Sequence, residues 1–109
     1  MARRGPVLLP QVERTLNALG ERVRLARLRR DLSSEMVAER AGVSRQTISA
    51  LENGSVSVSM STWVQVLFVL GLERDLDLVA RDDQLGRALQ DAQLPTRRRA
   101  RKTQPRKNG

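Results

Sequence analysis

The segment from residue 34 to residue 53 constrains the chain most. Ser33 suits the N-cap of a short helix from Ser34 to Ala41, because a serine oxygen can accept one of the backbone N–H groups left free in a first helical turn. The residue three further on is Met36, so the reciprocal carboxylate of a capping box is missing. Gly42 follows, and glycine ends a helix in the left-handed conformation without steric cost. Ser44 caps a second helix running to about Glu52, which Asn53-Gly54 ends by the same logic. Two helices joined by so brief a turn must meet at a tight corner. Ala38 is small enough to let them approach, and Val37, Val43, Ile48 and Leu51 can plug the angle between them.

The rest of the chain supplies helices to pack around that corner. Residues 1–10, with Gly5, Pro6 and Pro10, read as an irregular arm. From Gln11 to about Arg30, Val12, Leu16, Leu19, Val23 and Ala26 recur every three or four residues, which is one face of a helix. Leu25 and Leu28 lie off that stripe, so a contact on a second side is expected. Residues 55–59 alternate polar and apolar, but five residues between two helices read as an extended loop rather than a strand. Ser59 caps a fourth helix, Met60 to Leu70, ended by Gly71. A short helix is expected over Glu73–Ala80, with Leu72, Leu76, Val79 and Ala80 on one side. Asp82 and Asp83 favour the start of a last helix, where Leu85, Ala88, Leu89 and Ala92 share a face and Pro95 is expected to end it.

Charge is distributed unevenly. The net charge is +8, yet residues 11–94 hold eleven arginines against twelve acids. The excess lies at the ends: Arg3 and Arg4, then seven basic residues and no acid in 95–109. Within the body, residues 11–45 hold eight arginines and five acids, and 46–94 hold three and seven. The first half therefore suits a polyanion and the second a cation or a protein partner. There is no Cys and no His, which excludes disulfides, thiolate or imidazole metal sites and histidine acid–base catalysis. No glycine-rich phosphate loop is present, and Asp82-Asp83 are better explained as helix capping than as a metal site. No catalytic residue, metal, cofactor or small-molecule ligand is expected. No apolar run is long enough for a membrane span and no signal-peptide pattern follows the basic start, so the expected compartment is the cytoplasm.

The corner over 34–53 is the helix-turn-helix arrangement, whose second helix enters the major groove of DNA; an ordinary corner in a helical bundle is the alternative. Polar Ser44, Arg45, Gln46 and Thr47 open that second helix and favour DNA. Ser44 and the free N–H groups beside it can take a phosphate. Arg45 can pair with guanine and Gln46 with adenine through two hydrogen bonds each. Thr47 suits a phosphate or a thymine methyl, Ser49 the backbone or a base, and Ser34 a phosphate. Arg45 and Ser49 would otherwise be ordinary solvated surface residues. An RNA-binding protein is the rival class, since the arginine-rich end would suit it; single-strand readers need exposed stacking aromatics, and here Trp63 and Phe68 are the only two.

Leu19-Gly20-Glu21-Arg22-Val23, Ser44-Arg45-Gln46-Thr47-Ile48-Ser49 and Leu51-Glu52-Asn53-Gly54 together resemble the Xre/Cro-CI helix-turn-helix family over about residues 15–72. Val58-Ser59-Met60, Leu67–Leu72, Asp82–Arg87 and Leu89-Gln90-Asp91 are similar to HipB-type antitoxins, which pair with HipA-like Ser/Thr kinase toxins. The sequence departs from the family at Met36, usually polar, and at Ala50, where a base-reading side chain often sits. The resemblance implies a buried ion pair between Arg27 and Glu52 that ties the first helix to the third; two independent surface charges are the alternative.

The helix Met60–Leu70 carries apolar residues around about half its circumference, more than the roughly 100° stripe an ordinary surface helix needs. The surplus, with Val64 and Phe68 at its polar boundary and Trp63 open to sharing with the core, is expected to join two copies in a homodimer, unless the helix is buried on all sides. The expected fold is all-α: a five- to six-helix, lambda-repressor-like helix-turn-helix domain with flexible basic ends. Its expected parts are a basic arm (1–10), a DNA-binding domain (11–72), a helical extension (73–94) and a disordered basic tail (95–109). The expected function is a repressor that binds a palindromic double-stranded DNA operator. It would be either the antitoxin of a toxin–antitoxin pair holding a HipA-like kinase, or a free-standing Xre-family regulator, acting on the bacterial nucleoid.

Overall fold

The structure, a computed structural model, describes residues 8–102, with side chains through Gln93. Its described residues form helices and no strand: α1 (Pro10–Arg29), α2 (Ser34–Ala41), α3 (Arg45–Glu52), α4 (Met60–Leu70), a 3₁₀ helix (Glu73–Leu78) and α5 (Gln84–Lys102). The chain divides into two compact units, Met1–Asp77 and Leu78–Gly109. The all-α, lambda-repressor-like architecture expected from the sequence is the one observed.

In the first unit, each of three helices begins on a serine. Ser33, Ser44 and Ser59 accept the backbone N–H groups of Met36, Thr47 and Thr62 at 3.0, 3.1 and 3.2 Å. Each such cap contributes about 1 kcal/mol relative to alanine. α1 starts instead with Pro10 in its first turn, where a missing N–H leaves nothing unpaired. Between α2 and α3, Gly42 has φ 72°, the left-handed value the corner requires.

The core forms where α1, α2, α3 and α4 converge. Val37, Ile48, Leu51 and Val66 are its most deeply buried side chains, joined by Val23, Ala26, Ala38, Ala41, Trp63, Leu67 and Leu70. Burying one such aliphatic side chain contributes roughly 1.5–3 kcal/mol. Leu72 and Leu76 pack against this core from the 3₁₀ segment and the residue before it. The stripe of α1 is buried at Val23 and Ala26 and half-buried at Leu16 and Leu19, while Val12 is exposed. Leu25 and Leu28, expected to touch a second surface, face solvent instead.

Two expectations about the later part of the chain are corrected. The helix expected over Glu73–Ala80 is a 3₁₀ turn ending at Leu78; Val79 is exposed and Ala80 has φ 61°, a conformation no helix interior accepts. In the second unit, α5 does not end at Pro95 but remains helical to Lys102. A proline within a helix forfeits one backbone hydrogen bond but not the helical φ, which its ring already supplies. Residues 95–102 of the expected tail are therefore helical, and 103–109, like 1–7 of the arm, lie outside the described residues. α5 begins on Asp83, whose Oδ1 accepts the Gly86 N–H at 3.0 Å, and Leu85 and Leu89 on it are exposed. Among the described residues no helix is long and apolar enough to cross a membrane.

Candidate nucleic-acid interface

α3 has two faces of opposite character. Ile48 and Leu51 have no exposed surface, so the helix is anchored on one side by its own core residues. Arg45, Gln46 and Ser49 are exposed on the other. The first turn of α3 carries no acid, so the positive end of its dipole and the Arg45 guanidinium add without a neutralising carboxylate in that turn. Anions and base-edge acceptors are the groups such an end attracts.

Ser44 serves first as the cap: its hydroxyl lies 3.1 Å from the Thr47 N and 2.9 Å from the Thr47 hydroxyl. Thr47 is half-buried, which leaves Arg45 and Gln46 as the more prominent groups. Four of the residues singled out in the sequence meet at one place. Ser34 of α2 and Arg45, Gln46 and Ser49 of α3 line a shallow recess of about 250 Å³.

A second recess, of about 310 Å³, lies along the other flank of α3 and does not follow from the sequence pattern. It runs from Gln46 and Ala50 to Ser57, Ser59 and Thr62. Here hydroxyls are dense: Ser55 and Ser57 are 2.8 Å apart, and Ser59 bonds both Ser61 (3.0 Å) and Thr62 (3.1 Å). The run of serines at 55, 57, 59 and 61 is the one signal of it, but alternation alone suggests only an extended loop. Gln46 belongs to both recesses and so sits at the middle of the polar surface. Ala50 places a methyl group where a longer side chain would reach outward.

The far end of α3 is held by α1. The Arg27 guanidinium donates to both carboxylate oxygens of Glu52, from Nε to Oε2 at 2.7 Å and from Nη2 to Oε1 at 3.0 Å. Its Nη1 donates to the Leu32 carbonyl at 3.0 Å, so the same side chain also ties down the link into α2. Both side chains are largely buried, at 12% and 8% exposure. The hydrogen bond to Glu52 raises the Arg27 pKa above the ordinary arginine value, against the opposing effect of burial and with the help of the carboxylate charge. Beside this pair α1 comes close to the α3 backbone. A Cβ on Gly20 would lie 2.5 Å from the Glu52 carbonyl oxygen and 2.6 Å from that of Leu51.

Of the three residues expected to join two copies, Val64 and Phe68 are exposed, but Trp63 is not. At 7% exposure its indole is part of the core, because its position on α4 is shared with Val66, Leu67 and Leu70 rather than with Phe68.

A short pair of helices at a tight corner, with the second presenting a basic, polar face, defines a DNA-binding helix-turn-helix domain. The chain matches the helix-turn-helix domain family over residues 18–79, more than half its length, and belongs to it. That span takes in α2 and α3, both recesses and the Arg27–Glu52 pair. No curated protein shows a significant match to the chain.

Proposed function

We propose that the chain is a sequence-specific, double-stranded DNA-binding transcriptional repressor in which α3 reads the major groove. The observation that carries this is the exposure of Arg45, Gln46 and Ser49 on a helix whose opposite face is fully buried. Arg45 and Gln46 contact base edges; Ser34, Ser44, Thr47 and Ser49 contact phosphates or the bases beside them, with the hydroxyls of Ser57, Ser59 and Thr62 on the other flank. Arg27 and Glu52 touch no DNA and hold the angle of α3. The site is a palindrome, since one such helix covers only a few base pairs and two copies act about one DNA turn (~34 Å) apart.

The finer reading is an antitoxin that binds its own operator and holds a HipA-like kinase toxin in the cytoplasm, on the nucleoid. Its support is the resemblance of residues 58–60, 67–72 and 82–91 to HipB-type antitoxins. Co-purification from the native host should yield a kinase-like partner; its absence leaves a free-standing Xre-family regulator.

The test of the DNA reading is a binding profile over randomised duplexes. Arg45→Ala and Gln46→Ala are each expected to lose about 1–3 kcal/mol of discrimination at one base pair per half-site. Unchanged base preferences in both variants would remove these residues from the reading role.

A further inference from the structure

Beside the exposed Gln46, α3 presents a bare methyl group. Ala50 lies one turn beyond Gln46 and three residues beyond Thr47, on the same side of the helix as both. All three line the recess of about 310 Å³ on that flank, together with Val58 from the loop before α4. Val58 is half-buried and packs against the core, which holds its side chain in place. The Thr47 hydroxyl is bonded to that of Ser44 at 2.9 Å, and Ser44 does not line this recess. What Thr47 has left to offer is its methyl group. The recess thus sets apolar groups of Ala50, Val58 and Thr47 beside the Gln46 amide, and hydroxyls from the loop and from α4 complete its lining.

We infer that this recess receives the C5 methyl group of a pyrimidine, so that Ala50 makes operator binding depend on thymine, or on 5-methylcytosine, within the base step read by Gln46. The inference rests on the proposal that α3 lies in the major groove. Alanine has no side-chain hydrogen-bonding atom, so it cannot read the donor and acceptor pattern of a base edge. The one apolar group that base pairs present in that groove is the thymine methyl. Cytosine methylated at C5 carries the same group at the same ring position. An unmethylated cytosine or a purine would instead put polar edge atoms against Ala50 and Val58, which take their water and return no hydrogen bond. Gln46 fixes the register, since its amide suits adenine N6 and N7 and it borders the same recess. Burial of one methyl group corresponds to about fourfold in affinity for each half-site.

The test uses the full chain and the duplex it selects from the randomised pool, with thymine replaced by uracil one position at a time. Uracil keeps every hydrogen-bonding group of thymine and lacks only the methyl. In the wild type, one thymine per half-site is expected to show a loss of about fourfold on replacement. Ala50→Gln, which puts an amide in place of the methyl, should bind the thymine and uracil duplexes alike, and Ala50→Ser should narrow the difference to about twofold or less. Each ratio compares two duplexes on one protein, so a variant of lowered stability still reports it. With cytosine at that position, adding the C5 methyl should strengthen wild-type binding about fourfold and leave Ala50→Gln unchanged. A selected half-site without thymine, uracil tolerated at every position, a thymine preference retained in Ala50→Gln, or 5-methylcytosine bound no better than cytosine would each overturn the inference. A wild type that selects no sequence would overturn the duplex reading itself. A selected sequence indifferent to uracil would leave that reading standing and remove only the methyl pocket.

Discussion

Arg27 does at the residue scale what a whole loop often does in a larger protein. One guanidinium joins α1, the carbonyl of Leu32 and the last residue of α3. Removing one member of a buried pair leaves the other charged and unpartnered. Arg27→Ala should therefore cost about 3–5 kcal/mol in urea unfolding, and the double replacement Arg27→Met with Glu52→Leu should recover most of it. A single variant within about 1 kcal/mol of wild type would show that the pair carries little of the fold's stability, as exposed pairs do. The pH dependence has a definite sign. A group whose pKa is raised by folding contributes in full below its unfolded value and loses that contribution as pH rises through the folded one. For Arg27 this loss falls in strong alkali, so its contribution is constant from neutral to mildly alkaline pH.

At the scale of the element, the parts that depend on local chemistry are legible in the sequence and the parts that depend on tertiary packing are not. Serine caps at 33, 44 and 59 and the turn at Gly42 follow from hydrogen bonding and backbone sterics within a few residues, and the sequence displays both. The recess joining Ser34 to Arg45, Gln46 and Ser49 needs the corner to be folded, yet its members can be named because the corner itself is recognisable. Trp63 is different: periodicity places it on α4 but cannot say which flank of a broad apolar arc meets the core. Gly20 is different again, for nothing in α1 announces that two carbonyls of α3 lie against it. In most helix interiors glycine to alanine stabilises by roughly 0.5–1 kcal/mol. Here the added methyl meets backbone that cannot rotate away, so Gly20→Ala should destabilise instead, by about 1–3 kcal/mol in urea unfolding. A stabilised variant would mean that α1 retreats from α3 without penalty.

Over the whole molecule, the charge excess is concentrated at the ends of the sequence. Seven basic residues occupy 95–109, against a nearly neutral body. Deleting 95–109 should weaken binding to all duplexes alike and flatten the salt dependence by about 0.9 in slope for each phosphate those residues neutralise. An unchanged slope would assign that segment to a protein partner. Pro95 suggests from sequence that order ends there; the helical backbone to Lys102 shows that one missing hydrogen bond does not end a helix. One further property follows from composition and packing together. Trp63 is the only tryptophan, there is no tyrosine, and the indole is enclosed among the side chains of the four-helix core. The protein thus carries a single tryptophan fluorophore, enclosed in the core rather than set on the exposed face of α3. Its emission records whether the core is intact and takes no direct part in groove contact, so one cuvette can separate a variant that has lost its fold from one that has lost only its grip on DNA.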